Sequence, residues 1–186
     1  KAKAMIRNKI NKLFFVVLIF ISFSSNANFH IWDLAEVYSH EDGSVQFIEL
    51  FCPANGQQFL AGHQLAATSD GVTVTFTFPG DSGSPTLNKS LLLATANFAA
   101  LPGAVTPDFI LPDNFINPNA ASILVDFGLG QDNMSFSNAQ LPSDGISSID
   151  RFLQQAVNSP TNFAGQTGSL NAVDEIIFIN GFEAGN

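Results

Sequence analysis

Glu36 and Glu49 stand in neighbouring apolar stretches, so a hairpin would set the two carboxylates on adjacent strands, the kind of pairing that acid-base hydrolysis uses. Structural hydrogen bonding is the simpler role, since hydrolysis further demands a defined separation between the carboxyl groups. Gly80-Asp81-Ser82-Gly83-Ser84-Pro85 has the form of a nucleophile loop in a serine protease. A His and an Asp must then precede the serine, but Ser82 comes too early in the chain for two β-barrels to fit before it, and no catalytic-aspartate motif separates it from His63 in Ala61-Gly62-His63-Gln64. The loop therefore reads as a turn after a strand. His30, His40 and His63 lack the spacing of zinc ligands, and Cys52 has no second cysteine to join it. Oxygen donors are more plentiful: Asp126, Asp132 and Asn133 flank a glycine-rich bend, and Glu41-Asp42 lies in a loop. Calcium is the cation such donors suit, although no contiguous calcium loop is present. The chain has no phosphate-cradling glycine loop, no dinucleotide fingerprint and no basic-aromatic patch. No catalytic or cofactor-binding residue is assigned.

The elements that must position these groups read as strands. Residues 29 to 38 and 45 to 52 are rich in aromatic and branched side chains, and Asp42-Gly43 between them is a hairpin signal. Trp32, Leu34 and Tyr38 would share one face of the first strand, and Ile48, Leu50 and Cys52 one face of the second. Cys52 is expected as a small core hydrophobe. From Val72 to Phe78 valine and phenylalanine alternate with Thr73, Thr75 and Thr77, the pattern of a half-buried strand. It follows a Ser69-Asp70-Gly71 turn, with Gln64 to Ala67 as its partner. Leu91 to Ala94 and Ile123 to Phe127 are further strands, while Ile149, Phe152, Leu153 and Ala156 have the spacing of a short helix. Residues 159 to 173 shift to Ser, Thr, Asn, Gly and Pro, a linker or wrapped loop. Many short strands with regular turn signals predict an all-β sandwich or barrel.

The beginning of the chain predicts export. Arg7, Lys9 and Lys12 follow Met5 as a positive region, and residues 13 to 23 are an uninterrupted apolar run, short of the ~20 residues of a membrane span. Ser25-Asn26-Ala27 supplies the small residues of a cleavage site, so residues 1 to 27 are expected to be removed between Ala27 and Asn28. The 159 residues left would carry only Lys89 and Arg151 against all 16 acidic residues, a net charge of −14. Such a chain is repelled by anionic polymers, which argues against a nucleic-acid partner. No later stretch is long and apolar enough to be a transmembrane helix.

In order along the chain, L-A-E-V-Y (34 to 38), Q-F-I-E-L (46 to 50), L-A-G-H-Q-L (60 to 65), T-F-T-F-P (75 to 79) and L-L-L-A-T (91 to 95) together resemble the lamin tail domain, over about residues 30 to 155. His63 stands where that family usually has tryptophan, and Phe51-Cys52-Pro53 replaces its common aromatic-Asn pair. The segment from Leu141 to Arg151, with Thr161 to Gly165, is similar to secreted bacterial members. The resemblance implies an immunoglobulin-like β-sandwich with long loops, over residues 28 to 158. Residues 174 to 186 are similar to a short tail at the ends of exported bacterial proteins, which implies a sorting or attachment signal; a last edge strand or an unstructured end is the alternative.

The expectation is a secreted, periplasmic or cell-surface interaction domain without catalysis, its protein or carbohydrate ligand recognised through loops. Trp32, Leu34, Ile48, Leu50, Val74, Phe76, Phe78 and Leu92 would fill its core. Fifteen phenylalanines beyond the leader exceed what a core demands and leave some for a binding face. The alternatives are a secreted hydrolase with a carboxylate or metal site, and a structural surface component attached through its tail.

Overall fold

The computed structural model describes residues 31–172. The leader, its cleavage site at Ala27 and Asn28, His30 and the tail from residue 174 lie outside the described residues. The described chain is a β-sandwich of ten strands and one short helix. In chain order these are β1 (Asp33–Ser39), β2 (Gln46–Cys52), β3 (Gln64–Ser69), β4 (Val72–Thr77), β5 (Lys89–Thr95), α1 (Ala96–Ala100), β6 (Phe109–Leu111), β7 (Ile123–Phe127), β8 (Asp132–Phe136), β9 (Ser147–Asp150) and β10 (Gln155–Val157). One sheet has the order β10-β9-β1-β2-β5-β6 and the other β4-β3-β7-β8. Every pairing is antiparallel except that of β5 with β6.

Turn chemistry sets the hairpins. Asp70 and Gly71 both have positive φ, 48° and 83°, as a two-residue turn that follows strand twist requires, and Ser69 faces Val72 across it. In the β1–β2 loop Gly43 has φ 75°, and a Cβ there would come within 2.6 Å of the Asn114 amide oxygen. The positive φ favours glycine at that position, and any larger residue would also have to displace the Asn114 side chain.

Between the sheets lie Trp32, Leu34, Ile48, Leu50, Cys52, Phe78, Val125 and Phe127, all buried. The buried Cys52 matches its expected role as a core hydrophobe. Three expectations about the core change. A bulge between Leu34 and Glu36 shifts the register of β1 by one residue, so Val37 joins Leu34 in the core while Tyr38 moves to the opposite face. Leu92 also faces away from the other sheet, and Val74 and Phe76 are only partly buried because β4 is an edge strand.

The spacing that suggested a helix over Ile149 to Ala156 belongs instead to the β9–β10 hairpin. Its turn holds Leu153 at φ 60° and leaves Phe152 exposed. The helix that does form is α1, capped by Thr95, whose hydroxyl accepts the Phe98 N–H. Phe98 packs with Tyr38, Phe47, Leu92, Leu101, Val105 and Leu170 in a second core on the outer face of the six-stranded sheet. No helix among the described residues is long and apolar enough to cross a membrane.

Candidate functional site

The bulge in β1 has a chemical result, for it turns Glu36 to the outer face directly opposite Glu49 on β2. Asp150 of β9 pairs with Glu36 from the other side, so one row of the sheet holds three acidic residues. Residues 159–163 pass over this row and donate to two of its carboxylates and to Asp108, which lies outside it. The Ser159 N–H donates to Glu36 Oε1 (2.9 Å), the Thr161 N–H to Glu49 Oε2 (2.8 Å) and the Phe163 N–H to Asp108 Oδ2 (2.9 Å). Alternate backbone donors of this strap are thus satisfied by side-chain carboxylates in place of a strand. The Ser148 hydroxyl donates to Glu36 Oε1 and that of Ser159 to Glu36 Oε2.

The strap is fastened further along. The Asn158 side chain donates to the carbonyls of Ile146 and Leu170 and accepts the Leu170 N–H, and Asn162 donates to the Thr106 carbonyl. A cavity of about 240 Å³ opens beside the pair, lined by Glu36, Glu49, Ser148, Asp150, Ser159 and Thr161 among others. Burial pushes the Glu49 carboxyl up to about 7, against the opposing pull of hydrogen bonds from Ser90 and Thr161; the Glu36 charge adds to the rise. Burial likewise raises Asp108, although the N–H groups of Leu92 and Phe163 favour its charged form.

The paired glutamates are therefore brought together, but their oxygens are engaged by donors of the same chain. The other candidates are dispersed. Asp132 forms a two-pronged ion pair with Arg151 (both contacts 2.8 Å) and also accepts the Leu34 N–H. Asp126 accepts the Gly130 N–H, and Glu41-Asp42 lies at the far end of the sandwich, where Asp42 bonds His40 (2.9 Å). Among the described residues no group of three His, Cys, Asp or Glu side chains could hold a metal ion. In the serine loop Ser82 donates to the Gly83 carbonyl, while the Asp81 carboxylate accepts the Ala61 N–H, so both groups serve the turn.

A different feature was not legible as a site. The β2–β3, β4–β5, β7–β8 and β9–β10 connections all lie at the end of the sandwich where β1 begins, as the strand registers require. Arg151 and Asp132 tie the two sheets together there. Each of these four loops exposes one large apolar side chain: Phe59 (53%), Leu87 (50%), Leu129 (80%) and Phe152 (76%). The excess of phenylalanine pointed to exposed aromatic surface, but only the topology gathers residues so far apart in sequence. Set beside known proteins, the chain matches no protein-family model, and no curated protein matches it.

Proposed function

We propose that this chain is an exported, non-catalytic recognition domain of the lamin-tail type, an immunoglobulin-like sandwich that takes a protein or carbohydrate ligand at its loop end. The observation that carries this reading is the exposure of Phe59, Leu87, Leu129 and Phe152, one from each loop at a single end. Large apolar groups in solvent cost solubility unless a partner uses them, and loops on a rigid sandwich are where recognition residues concentrate. The lamin-tail assignment draws support from L-A-E-V-Y and Q-F-I-E-L lying on the paired strands β1 and β2. Export is supported by the leader, and the strongly acidic remainder disfavours nucleic acid. The test is an array of polysaccharides and extended peptides probed with the full chain. A ligand bound by the wild type and lost in the Leu129→Ser/Phe152→Ser variant supports the proposal. Binding that ignores both substitutions overturns it.

A hydrolase is the second reading, favoured by Glu49, which holds a proton near neutral pH beside the opposed Glu36 and an open cavity. Against it stand the strap donors that occupy both carboxyl groups. Release of reducing sugar from the same polysaccharides, abolished by Glu49→Gln, would establish it in place of the first.

A further inference from the structure

Among the sheet edges β4 is the exception. β6 and β10 have three residues each, and β8 is tied to the facing sheet through the bonds of Asp132 to the Leu34 N–H and to Arg151. β4 is six residues long and lies at the edge of its sheet, with sequence V-T-V-T-F-T: no charge, no proline and an unbroken register against β3. Natural sheets blunt such edges, because a flat, uncharged row of free backbone groups recruits another strand.

The parity of the ladder says which groups are free of partners among the described residues. The Phe78 N–H donates to the His63 carbonyl, so Val72, Val74 and Phe76 also turn their backbone groups to β3, and those of Thr73, Thr75 and Thr77 point away. The side chains of all three threonines are exposed on the outer face. On the inner face Val74 and Phe76 are half-covered, with Phe76 against Phe78 (5.1 Å between ring centroids) and Phe109 (6.1 Å).

We propose that two copies of this chain join along β4, antiparallel about a two-fold axis at Thr75, to form one continuous sheet. The strand is complementary to itself in that register. Thr75 meets its own copy and Thr73 meets Thr77, so every outward donor faces an outward acceptor. Val74 then meets Phe76 on the inner face, a branched-aromatic pair, while threonine meets threonine on the outer one. Of the two edge strands longer than three residues, β8 carries Asp132, whereas β4 carries no carboxylate that would oppose its equivalent. An extended foreign peptide is the competing occupant, and it has no such reason to match the strand pair by pair.

Sedimentation velocity on the full chain, from micromolar to submillimolar concentration, tests the proposal. The wild type should dimerise, and Thr75→Lys, which sets two ammonium groups across the axis, should raise the dissociation constant roughly tenfold or more. Its unfolding midpoint, measured where both proteins are monomeric, should be unchanged. Thr73→Lys/Thr77→Lys should also weaken the dimer, whereas Thr73→Lys/Thr77→Glu should restore it, since position 73 faces position 77 of the other copy. A wild type that stays monomeric throughout overturns the proposal. So does a dimer indifferent to Thr75→Lys, or one that the charge-swapped pair fails to restore.

Discussion

Two adjacent rows on the outer face of the six-stranded sheet are built on the same strands and solve the same problem differently. Tyr38, Phe47 and Ala94 form one row, covered by Phe98 of α1 and by Leu101, Val105 and Leu170. Asp150, Glu36 and Glu49 belong to the next, covered by the strap over residues 159–163. Tyr38 and Glu36 are two residues apart on β1, as are Phe47 and Glu49 on β2. The first cover is held by contact and exclusion of water, which need no particular orientation. The second is held by directional bonds between carboxylates and backbone N–H groups, which fail if charge or geometry changes. The contrast predicts that the apolar row carries more stability and the acidic row more sensitivity to conditions.

The largest effect is expected in the apolar row. Phe47 is fully buried, stacks on Tyr38 (5.3 Å between ring centroids) and meets Phe98 edge-on (5.5 Å). Phe47→Ala removes that packing from under the helix and should cost about 4 kcal/mol in urea unfolding. A loss below about 1 kcal/mol would mean that α1 lies loosely over the row, and the comparison would break.

The acidic row should reveal itself through pH. Because Glu49 titrates near 7 when folded but near 4.5 when exposed, folding takes up a proton between those values. The stability this provides is complete below about pH 4.5 and is lost as pH rises through about 7. Glu49→Gln keeps an amide oxygen for the Thr161 N–H and cannot ionise. The difference between the wild-type and Glu49→Gln stability curves should therefore change by about 3 kcal/mol from pH 4 to pH 8, with the variant favoured at the alkaline end. Parallel curves would remove Glu49 as the source of sensitivity, whereas Phe47→Ala should shift the whole curve without tilting it.

The two rows were not equally legible in the sequence. Alternation marked β4 and short apolar runs marked β5 and β7: β4 and β7 turn one face to the other sheet, while β5 is buried on both faces, which a continuous apolar run records. The hairpin of β1 and β2 was legible for the same reason, and with it the nearness of Glu36 to Glu49. The bulge was not: Ala35 carries no glycine-like signature, and a one-residue shift leaves composition unchanged while exchanging the two faces. Hence Tyr38 was expected beside Leu34. The second core escaped notice because α1, at five residues, is too short to show helical periodicity. The strap read only as polar sequence. Its order comes from acceptors distant in the chain, Ser159 being 123 positions from Glu36.

Two serines that share one acceptor give the finest test of the strap. Ser148 lies on β9, so its hydroxyl reaches Glu36 whether or not the strap is docked, whereas Ser159 belongs to the strap and bonds Glu36 Oε2 (3.1 Å) only when it is closed. Ser148→Ala removes a buried donor to a carboxylate and should cost about 2 kcal/mol at pH 8. Ser159→Ala keeps its N–H bond to Glu36 and removes only the hydroxyl, so about 0.5 kcal/mol is expected. Amide hydrogen exchange separates the two roles. Ser159→Ala should speed exchange at Ser159 and Thr161 while leaving Phe47 and Leu92 protected, since the strap can lift without opening the sheet. If exchange at Phe47 rises in step with that at Thr161, the two covers open as one unit, and the difference between the rows would lie only in what they are made of.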